Sequence, residues 1–242
     1  MKNSPKYEII KLGNHLLAHG DSTDADLIAK LVGKEKINLV LADPPYGCNY
    51  VASKKNFGQV AKDKTIINDD ITDEKAYTDF SVRWLRALIP HLAPKNAMYI
   101  FNSDIMLFSL REAIKLTSCK FSQLLIWVKN QAVIGRLNYL PQHELIIYCW
   151  YKRHYFRKAQ DKSVLFCPKP HQSKIHPTIK PLSLLRRLIL NSTKPNDIVF
   201  DPFGGSGNSL LACQQTGRRC LMVELDREYF LTISRRFNEL IK

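Results

Sequence analysis

Hydrophobic residues along the chain follow two alternating patterns. Short apolar runs, of the kind found in buried strands, occupy residues 15–21, 37–43, 97–101, 121–128, 143–150, 197–200 and 220–223. Between them, apolar positions with helical periodicity predict helices near residues 24–32, 74–89, 104–117, 184–189, 210–213 and 227–241. Strands that alternate with helices are typical of a sheet covered on both faces. The pattern therefore predicts an α/β fold, with a doubly wound, Rossmann-like, mostly parallel sheet in a single domain of residues 1–242.

Two segments interrupt this alternation. Residues 47–70 form a long polar loop, and a loop of that length inside a compact domain is usually functional or disordered. Residues 151–175 are basic and show no periodic pattern, so we expect them to be irregular.

The strand at residues 37–43 ends in an unusual tetrapeptide, Asp43, Pro44, Pro45 and Tyr46. The prolines fix two φ angles and remove two backbone donors, which leaves carbonyl acceptors held stiffly. Asp43 adds a carboxylate acceptor, and Tyr46 adds a flat ring. Two acceptors and a stacking ring suit a planar base that carries an exocyclic amino group, such as adenine or cytosine. A proline-rich turn after a buried strand is an equally good interpretation of these four residues alone.

A glycine loop follows a second strand. Residues 197–200 lead into Asp-Pro-Phe-Gly-Gly-Ser-Gly at 201–207, and a helical pattern comes next. This arrangement lets a backbone approach a nucleotide-like ligand. Because no Lys-Ser or Lys-Thr pair follows the glycines, a phosphate-rich ligand is disfavoured. The next strand ends at Glu224, where an acidic residue in such a unit grips a ribose hydroxyl pair.

Three ordered motifs resemble the beta class of amino-methylating DNA methyltransferases. They are Asp-Pro-Pro-Tyr at 43–46, His-Pro-Thr-x-Lys-Pro at 176–181 and Asp-Pro-Phe-x-Gly-Ser-Gly at 201–207. The catalytic motif precedes the cofactor motif, and this circularly permuted order marks the class. Residues 125–130 are similar to the family's Trp-x-Lys strand end, and residues 143–148 are similar to its His-Glu strand.

Further details refine the resemblance. The run at 133–136 is similar to that of phage-type and ParB-associated modification methylases. Asn208 stands where the family usually has Thr, and Gly47 stands where many members have Asn. The resemblance covers essentially the whole chain and implies the class I methyltransferase fold, with a DNA-contacting loop at about 47–70. It also implies a small target-recognition insertion at about 130–142 and 151–175.

The resemblance implies that S-adenosylmethionine is the cofactor and that adenine N6 in duplex DNA receives the methyl group, by base flipping and direct in-line displacement. The catalytic residues would be Asp43, Pro44, Pro45 and Tyr46. The cofactor-binding residues would be Thr178, Lys180, Asp201, Phe203, Gly204, Gly205, Ser206, Gly207, Glu224 and Asp21. The DNA-binding residues would be Lys54, Lys55, Lys129, Arg136, Tyr139, Arg153, Arg157 and Lys158.

Individual roles follow from chemistry. Asp43 and the Pro44 carbonyl would each accept one N–H of the target amine, with its lone pair aimed at the methyl group. Tyr46 would stack on the base, and the resemblance implies that Lys180 pairs with the cofactor carboxylate. Asp21 would reach the cofactor's adenine if its strand lies beside the strand that ends at Glu224; a turn or capping residue is the alternative.

Two other functions compete with this one. Cytosine-N4 methylation uses the same amine chemistry, although family members of that kind more often carry Ser in place of Asp43. A catalytically silent nucleic-acid-binding module is the other reading, and the intact site residues argue against it.

The composition indicates the kind of partner and the cellular compartment. The formal net charge of +14 implies an anionic partner, although a solvated basic surface would give the same charge. Three aromatic residues lie among the cations of 151–162 and favour nucleic acid. With no signal-like start, no membrane-length run and six scattered cysteines, we expect a cytoplasmic protein, bacterial or phage-encoded, with no membrane partner and no metal. Members of the class are often dimers, so a homodimer is possible.

Overall fold

The predicted alternation of strands and helices is present in the computed structural model, which describes residues 7–47, 70–133, 138–157, 160–168 and 179–240. The strands are β1 (Glu8–Leu12), β2 (His15–His19), β3 (Ile37–Ala42), β4 (Leu92–Asn102), β5 (Cys119–Val128), β6 (His143–Tyr151), β7 (Arg153–His154), β8 (Val164–Phe166), β9 (Ile198–Asp201) and β10 (Arg219–Glu224). The helices are α1 (Ala25–Val32), α2 (Glu74–Leu88), α3 (Leu107–Leu116), α4 (Leu182–Ser192), α5 (Asn208–Thr216) and α6 (Arg227–Leu240), and a 3-10 turn spans Ile89–His91.

The strands form one sheet in the order β1-β2-β10-β9-β3-β4-β6-β5-β8, and β7 pairs with β4. The five strands from β2 to β4 in that order are parallel to one another. Strands β1 and β6 run antiparallel to their neighbours. The predicted α/β fold with a mostly parallel sheet is therefore confirmed.

The chain changes direction across the sheet between β3 and β9. Strand β3 is followed by its neighbour β4 on one side, while β9 is followed by β10 on the other. Leu39 pairs with Val199 and Val40 with Phe200. In open α/β sheets, ligands bind outside the carboxyl ends of the strands at such a switch point. The expected adjacency of the strands that lead into Asp43 and Asp201 is thus confirmed.

Apolar cores cover both faces of the sheet. Helices α1, α2 and α3 pack on one face, where the fully buried side chains include Trp84 and Tyr77. Helices α4, α5 and α6 pack on the other face around Trp127, Phe230 and Phe237. Strand β3 is buried almost throughout because it contributes side chains to both cores, which explains its continuous apolar run.

Some element boundaries differ from the prediction. Strand β2 ends at His19, before Asp21, and β1 was not predicted. The prediction that residues 151–175 are irregular was wrong at β7 and β8, which pair with β4 and β5. Short strands of two or three residues carry no periodic signal of their own, because only their tertiary partners define them. Most of the predicted loop at 47–70 lies outside the described residues.

Gly207, at the start of α5, gives a test of local backbone strain. Its φ is +78°, and an added Cβ would lie 3.0 Å from Cγ2 of Ile233. We expect Gly207→Ala to lower the free energy of unfolding by about 1–2 kcal/mol, measured by urea denaturation. Gly33→Ala separates the two causes, because Gly33 also has a positive φ, of +61°, but nothing lies within 4 Å of the added atom, so this variant should lose less stability. Equal stability of Gly207→Ala and the wild type would contradict the assignment of strain.

Candidate active site

Three strand ends bring the predicted motifs together. Strand β3 ends just before Asp43, β9 ends at Asp201 and β10 ends at Glu224. These strands are neighbours and parallel, so their carboxyl ends share one edge of the sheet. The glycine loop therefore lies beside the Asp-Pro-Pro-Tyr segment.

An acidic cluster, defined here as Asp43, Tyr46, Lys129, Glu144 and Lys180, occupies this edge. The Tyr46 hydroxyl lies 2.9 Å from Oδ1 of Asp43 and 3.0 Å from Oε2 of Glu144. The Lys180 ammonium donates to Oδ2 of Asp43 at 2.6 Å and lies 3.2 Å from Oε2 of Glu144. The Lys129 ammonium lies 2.8 Å from Oε1 of Glu144. Two carboxylates and two ammonium groups thus balance each other around one phenol.

The cluster sets the protonation of its members. Burial raises the pKa of Asp43 against the opposing effect of Lys180. Burial acts to raise the pKa of Glu144 too, but Lys180 and Lys129 outweigh it and lower the pKa to about 2. Burial and the two carboxylates raise the pKa of Tyr46 well above its usual value. At neutral pH, Tyr46 is therefore a neutral hydroxyl donor and Glu144 is the firmly ionised carboxylate.

Aromatic rings flank the Lys180 ammonium. It lies 5.3 Å from the ring centroid of Tyr46 and 5.1 Å from that of Phe101. The side chain of Asp43 keeps 28% of its surface exposed. Asp43 is therefore the carboxylate of the cluster that a ligand at this edge can reach most readily, since the Glu144 side chain is 17% exposed.

The glycine loop is held by two buried carboxylates. Asp201 accepts hydrogen bonds from the Phe203 amide at 2.9 Å and from the Ser209 hydroxyl. Glu224 accepts from the Gly205 amide at 2.6 Å and from the Asp226 amide at 2.7 Å. Burial raises the pKa of Asp201 to about 7 and that of Glu224 to about 7.

Asn208 links the glycine loop to the acidic cluster. Its side-chain amide donates to the Lys180 carbonyl at 2.8 Å. Its oxygen accepts from the Arg236 guanidinium at 2.9 Å, and the same guanidinium donates to the Ser206 carbonyl. Helix α6 therefore braces the loop through Arg236. The side-chain amide of Asn208 makes both contacts at once. The side chain of threonine, which the family usually has at this position, is shorter and does not reach as far.

The remaining predicted cofactor residues occupy varied positions. Phe203 is half-buried against the other face, with its ring centroid 5.6 Å from that of Trp84. Gly204 donates from its amide to the Val223 carbonyl at 2.9 Å. Asp21 is exposed beyond β2, which is the predicted neighbour of β10, and it accepts from the Thr23 amide at 2.8 Å. It acts as a turn residue here, and its contact with a cofactor stays a prediction. Thr178 lies outside the described residues.

The predicted DNA-binding residues separate into three groups. Arg153, Arg157 and Tyr139 are exposed, Tyr139 to 92%. Lys129 is only 4% exposed and is paired with Glu144 in the acidic cluster, and its contact with DNA stays a prediction. The others lie outside the described residues; they are Lys54, Lys55, Arg136 and Lys158.

Sequence reasoning missed Glu144, Asn208 and Arg236 as site residues. The His-Glu pair at the start of β6 was the available signal for Glu144, because a carboxylate at the edge of a buried strand needs a cationic partner. Asn208 and Arg236 had no such signal, since their contacts depend on how α5 and α6 pack.

The arrangement offers hydrogen-bond acceptors, flat rings and a buried carboxylate beside a glycine loop. It does not offer a metal site, since no group of three or more potential ligands occurs among the described residues. No described helix is long and apolar enough to cross a bilayer. The described residues at this edge present hydrogen-bonding groups and aromatic rings to a ligand.

Comparisons with known proteins agree with this geometry. A family model described as DNA methylase matches residues 37–235. The type II methyltransferase M2.LlaDCHI of Lactococcus lactis subsp. cremoris is 26% identical over 245 residues, which cover 93% of this chain and 90% of that protein. The crystal structure of the M1.HpyAVI–SAM complex superposes with a TM-score of 0.66 at 26% identity, over 91% of this chain and 98% of that one. The cytosine-N4-specific PvuII DNA methyltransferase gives a TM-score of 0.72 at 15% identity, covering 95% and 92%, and so shares the fold.

Proposed function

The chain belongs to the DNA methylase family, and from that premise we propose that it methylates the N6 amino group of adenine in double-stranded DNA. It is a DNA methyltransferase that uses S-adenosylmethionine. The choice of base and the duplex form of the substrate are the proposed part.

The position of Asp43 is the observation that supports this function. Its carboxylate follows β3 at the switch point and lies on the strand next to the glycine loop. One oxygen is bonded to Tyr46 and the other to Lys180. These two donors fix the plane of the carboxylate, and each oxygen keeps a lone pair for a further donor. A target amino group is such a donor.

The target amine would be held by two acceptors. Asp43 accepts one N–H, and the Pro44 carbonyl, fixed by the proline ring, accepts the other. This draws the nitrogen lone pair out of conjugation with the base. Asp43 then holds the proton that the amine gives up, which its raised pKa favours. Tyr46 would pack against the base once the base has left the duplex.

The glycine loop and Glu224 fit the cofactor. The Glu224 carboxylate stands at the end of β10, where it offers acceptors to a hydroxyl pair. The loop carries no cation, which suits a nucleoside without phosphates. The cofactor supplies a methyl group on a positively charged sulfur. Among the described residues, the buried carboxyl groups of Asp201 and Glu224 lie in the region that would receive it, and a positive charge there would favour their ionised forms over the neutral forms that burial favours.

DNA contacts would come from the segments around the site. We propose that these segments are residues 47–70, 130–142 and 151–175, approximately, of a single methyltransferase domain. Tyr139 and Arg153, which are exposed, support this placement. Cationic side chains in these segments would contact the phosphates of a duplex, and aromatic side chains would contact its bases.

Cytosine-N4 methylation is the competing function, because the same acceptors would hold its amine. The carboxylate of Asp43 supports adenine, since members that modify cytosine more often carry serine there. The test is to incubate the protein with labelled S-adenosylmethionine and duplex DNA, and then to separate the nucleosides. N6-methyladenine supports the proposal, whereas N4-methylcytosine or no labelled base contradicts it.

Removal of Glu224 tests the cofactor assignment. We expect Glu224→Ala to weaken S-adenosylmethionine binding roughly 10–100-fold, since hydrogen bonds to a charged group are worth about 1.5–3 kcal/mol. Calorimetric titration measures the affinity. Glu228→Ala is the matched control, because Glu228 is an exposed carboxylate on the following helix. Unchanged affinity in Glu224→Ala would remove the ribose role.

A further inference from the structure

A cavity lies on the same face of the sheet as the acidic cluster. Its volume is about 360 Å³, within the range of small-molecule sites. Tyr148 lines it from β6. Glu144 lies on the same strand and face, four residues away, at a distance of about 13 Å. The cavity is therefore separate from the acidic cluster, and methyl transfer does not account for it.

Aromatic rings form its walls. The ring of Tyr148 stacks on that of Tyr99 with centroids 5.1 Å apart. Phe156 and Trp150 meet Tyr148 at 6.1 Å and 5.6 Å. His154 lies 4.9 Å from Trp150. Such a wall presents ring faces to a flat ligand.

The rim of this aromatic pocket is fixed in place. The Arg157 amide donates to the Asn191 carbonyl at 2.6 Å. Asp161 accepts from Nε of Arg187 at 2.9 Å and from the side-chain amide of Asn191 at 2.7 Å. The segment that closes the cavity is thus clamped to α4. A preformed cavity does not require an ordering step before it binds a ligand.

Polar groups in the pocket are available to a ligand. The Tyr148 hydroxyl is buried, in a residue 7% exposed, and makes no hydrogen bond of good geometry among the described residues, although the nearby Ser192 hydroxyl acts to lower the pKa of Tyr148. The hydroxyl of Ser192 is bonded to Tyr99 at 2.8 Å. Gln123 and Gln160 are exposed and place amide groups at the opening. An unpartnered buried hydroxyl is costly, and a ligand with a polar edge would satisfy it.

Charge selects the kind of ligand. Aromatic walls also suit organic cations, but the one carboxylate that lines the pocket, Asp161, is already neutralised by Arg187. Lys162 lies at the rim, and Arg157 is exposed on the same segment. An anionic group beside a flat ring fits this distribution better than a cation does.

We propose that the aromatic pocket binds a nucleotide, with its base between the rings, its polar edge at the Tyr148 hydroxyl and the glutamine amides, and its phosphate at the Lys162 side. The nucleotide is either a free mononucleotide or an unpaired base of a nucleic-acid strand. Both sources share this chemistry.

The three tryptophans allow a site-specific test by fluorine NMR of the protein labelled with 5-fluorotryptophan. Trp150 reports on the pocket, Trp127 on the acidic cluster and Trp84 on the opposite face. Titration uses adenosine monophosphate, and separately a short unpaired oligonucleotide, with S-adenosylmethionine in excess to fill the cofactor site. We expect a saturable shift of the Trp150 signal that persists in Asp43→Ala.

Three variants of the pocket test the assignment further. Gln123→Phe narrows the opening and should weaken the binding seen at Trp150 about tenfold or more, while Gln123→Leu, of similar size to glutamine, should weaken it less. Tyr148→Phe removes only the hydroxyl and should weaken the binding seen at Trp150 about fivefold.

A shift of the Trp150 signal with the mononucleotide identifies a free nucleotide as the ligand, and a shift with the oligonucleotide alone identifies an unpaired base of a strand. The proposal is overturned if Trp150 does not respond to either probe, if it responds only together with Trp127 and not in Asp43→Ala, or if Gln123→Phe binds like the wild type.

Discussion

Replacement of Asp43 by alanine is expected to abolish methyl transfer while S-adenosylmethionine still binds. The carboxylate is the proposed acceptor for the target amine, and its loss should lower kcat by roughly 10²–10³-fold or more. Asp43 is hydrogen-bonded to Tyr46 and Lys180 and has no direct hydrogen bond to Glu224 or to the glycine loop among the described residues, so cofactor affinity should change by less than about threefold. Radiolabel transfer to duplex DNA measures the first quantity, and calorimetric titration measures the second.

Two controls support the interpretation of Asp43→Ala. Asp79→Ala removes an exposed carboxylate from α2 and should retain full activity. Asp43→Asn keeps one acceptor and should retain more activity than alanine does. If Asp43→Ala transfers methyl groups at the wild-type rate, Asp43 has no catalytic role.

Replacement of Lys180 by methionine is expected to change both activity and stability. The Lys180 ammonium lowers the pKa of Asp43 and of Glu144. Without it both values rise, so Asp43 is ionised only at higher pH, and the acid limb of the kcat/KM profile moves to higher pH. Lys129 still pairs with Glu144 in this variant, but Asp43 loses its cation, so the free energy of unfolding at pH 8 should also fall by roughly 3–5 kcal/mol.

The loss of unfolding free energy in Lys180→Met should depend on pH. A carboxyl group whose pKa is higher in the folded state favours folding when protonated, and this contribution is lost as the pH rises through the folded pKa. The destabilisation of Lys180→Met should therefore be smaller at pH 5 than at pH 8. Lys180→Arg keeps the charge and should keep the acid limb near its wild-type position, and Lys115→Met changes an exposed lysine only. An acid limb that does not move in Lys180→Met would show that Lys180 does not control Asp43.

The sequence was sufficient to predict the fold and the meeting of the motifs. The apolar run of β3 and the glycine loop after β9 each carry a local signal, and the switch-point rule places their ends together. The acidic cluster was harder to predict from the sequence. Lys129 follows an apolar strand and was predicted to contact DNA; a buried lysine needs a partner, and Glu144 comes 15 residues later in the sequence. Only the pairing of β5 with β6 brings the two side by side.

The aromatic pocket illustrates a second limit of sequence reasoning. Tyr155 and Phe156 were noted as aromatic residues among cations, but the cavity is built from β4, β6 and α4 as well. Its hydrogen bonds join residues about 30 positions apart, such as Asp161 with Asn191. A linear pattern cannot indicate which rings will share a wall.

The brace from Arg236 to Ser206 and Asn208 has a practical consequence for anyone who re-engineers this enzyme. The C-terminal helix, which bears none of the three motifs, holds the backbone of the glycine loop that we propose to bind the cofactor. Through Asn208 and the carbonyl of Lys180, it also holds the lysine that pairs with Asp43. A shortened version that stops before position 236 would keep every signature stretch and still lose a support of its chemistry. Fusion partners and affinity tags are therefore better placed after the last turn of this helix than within it.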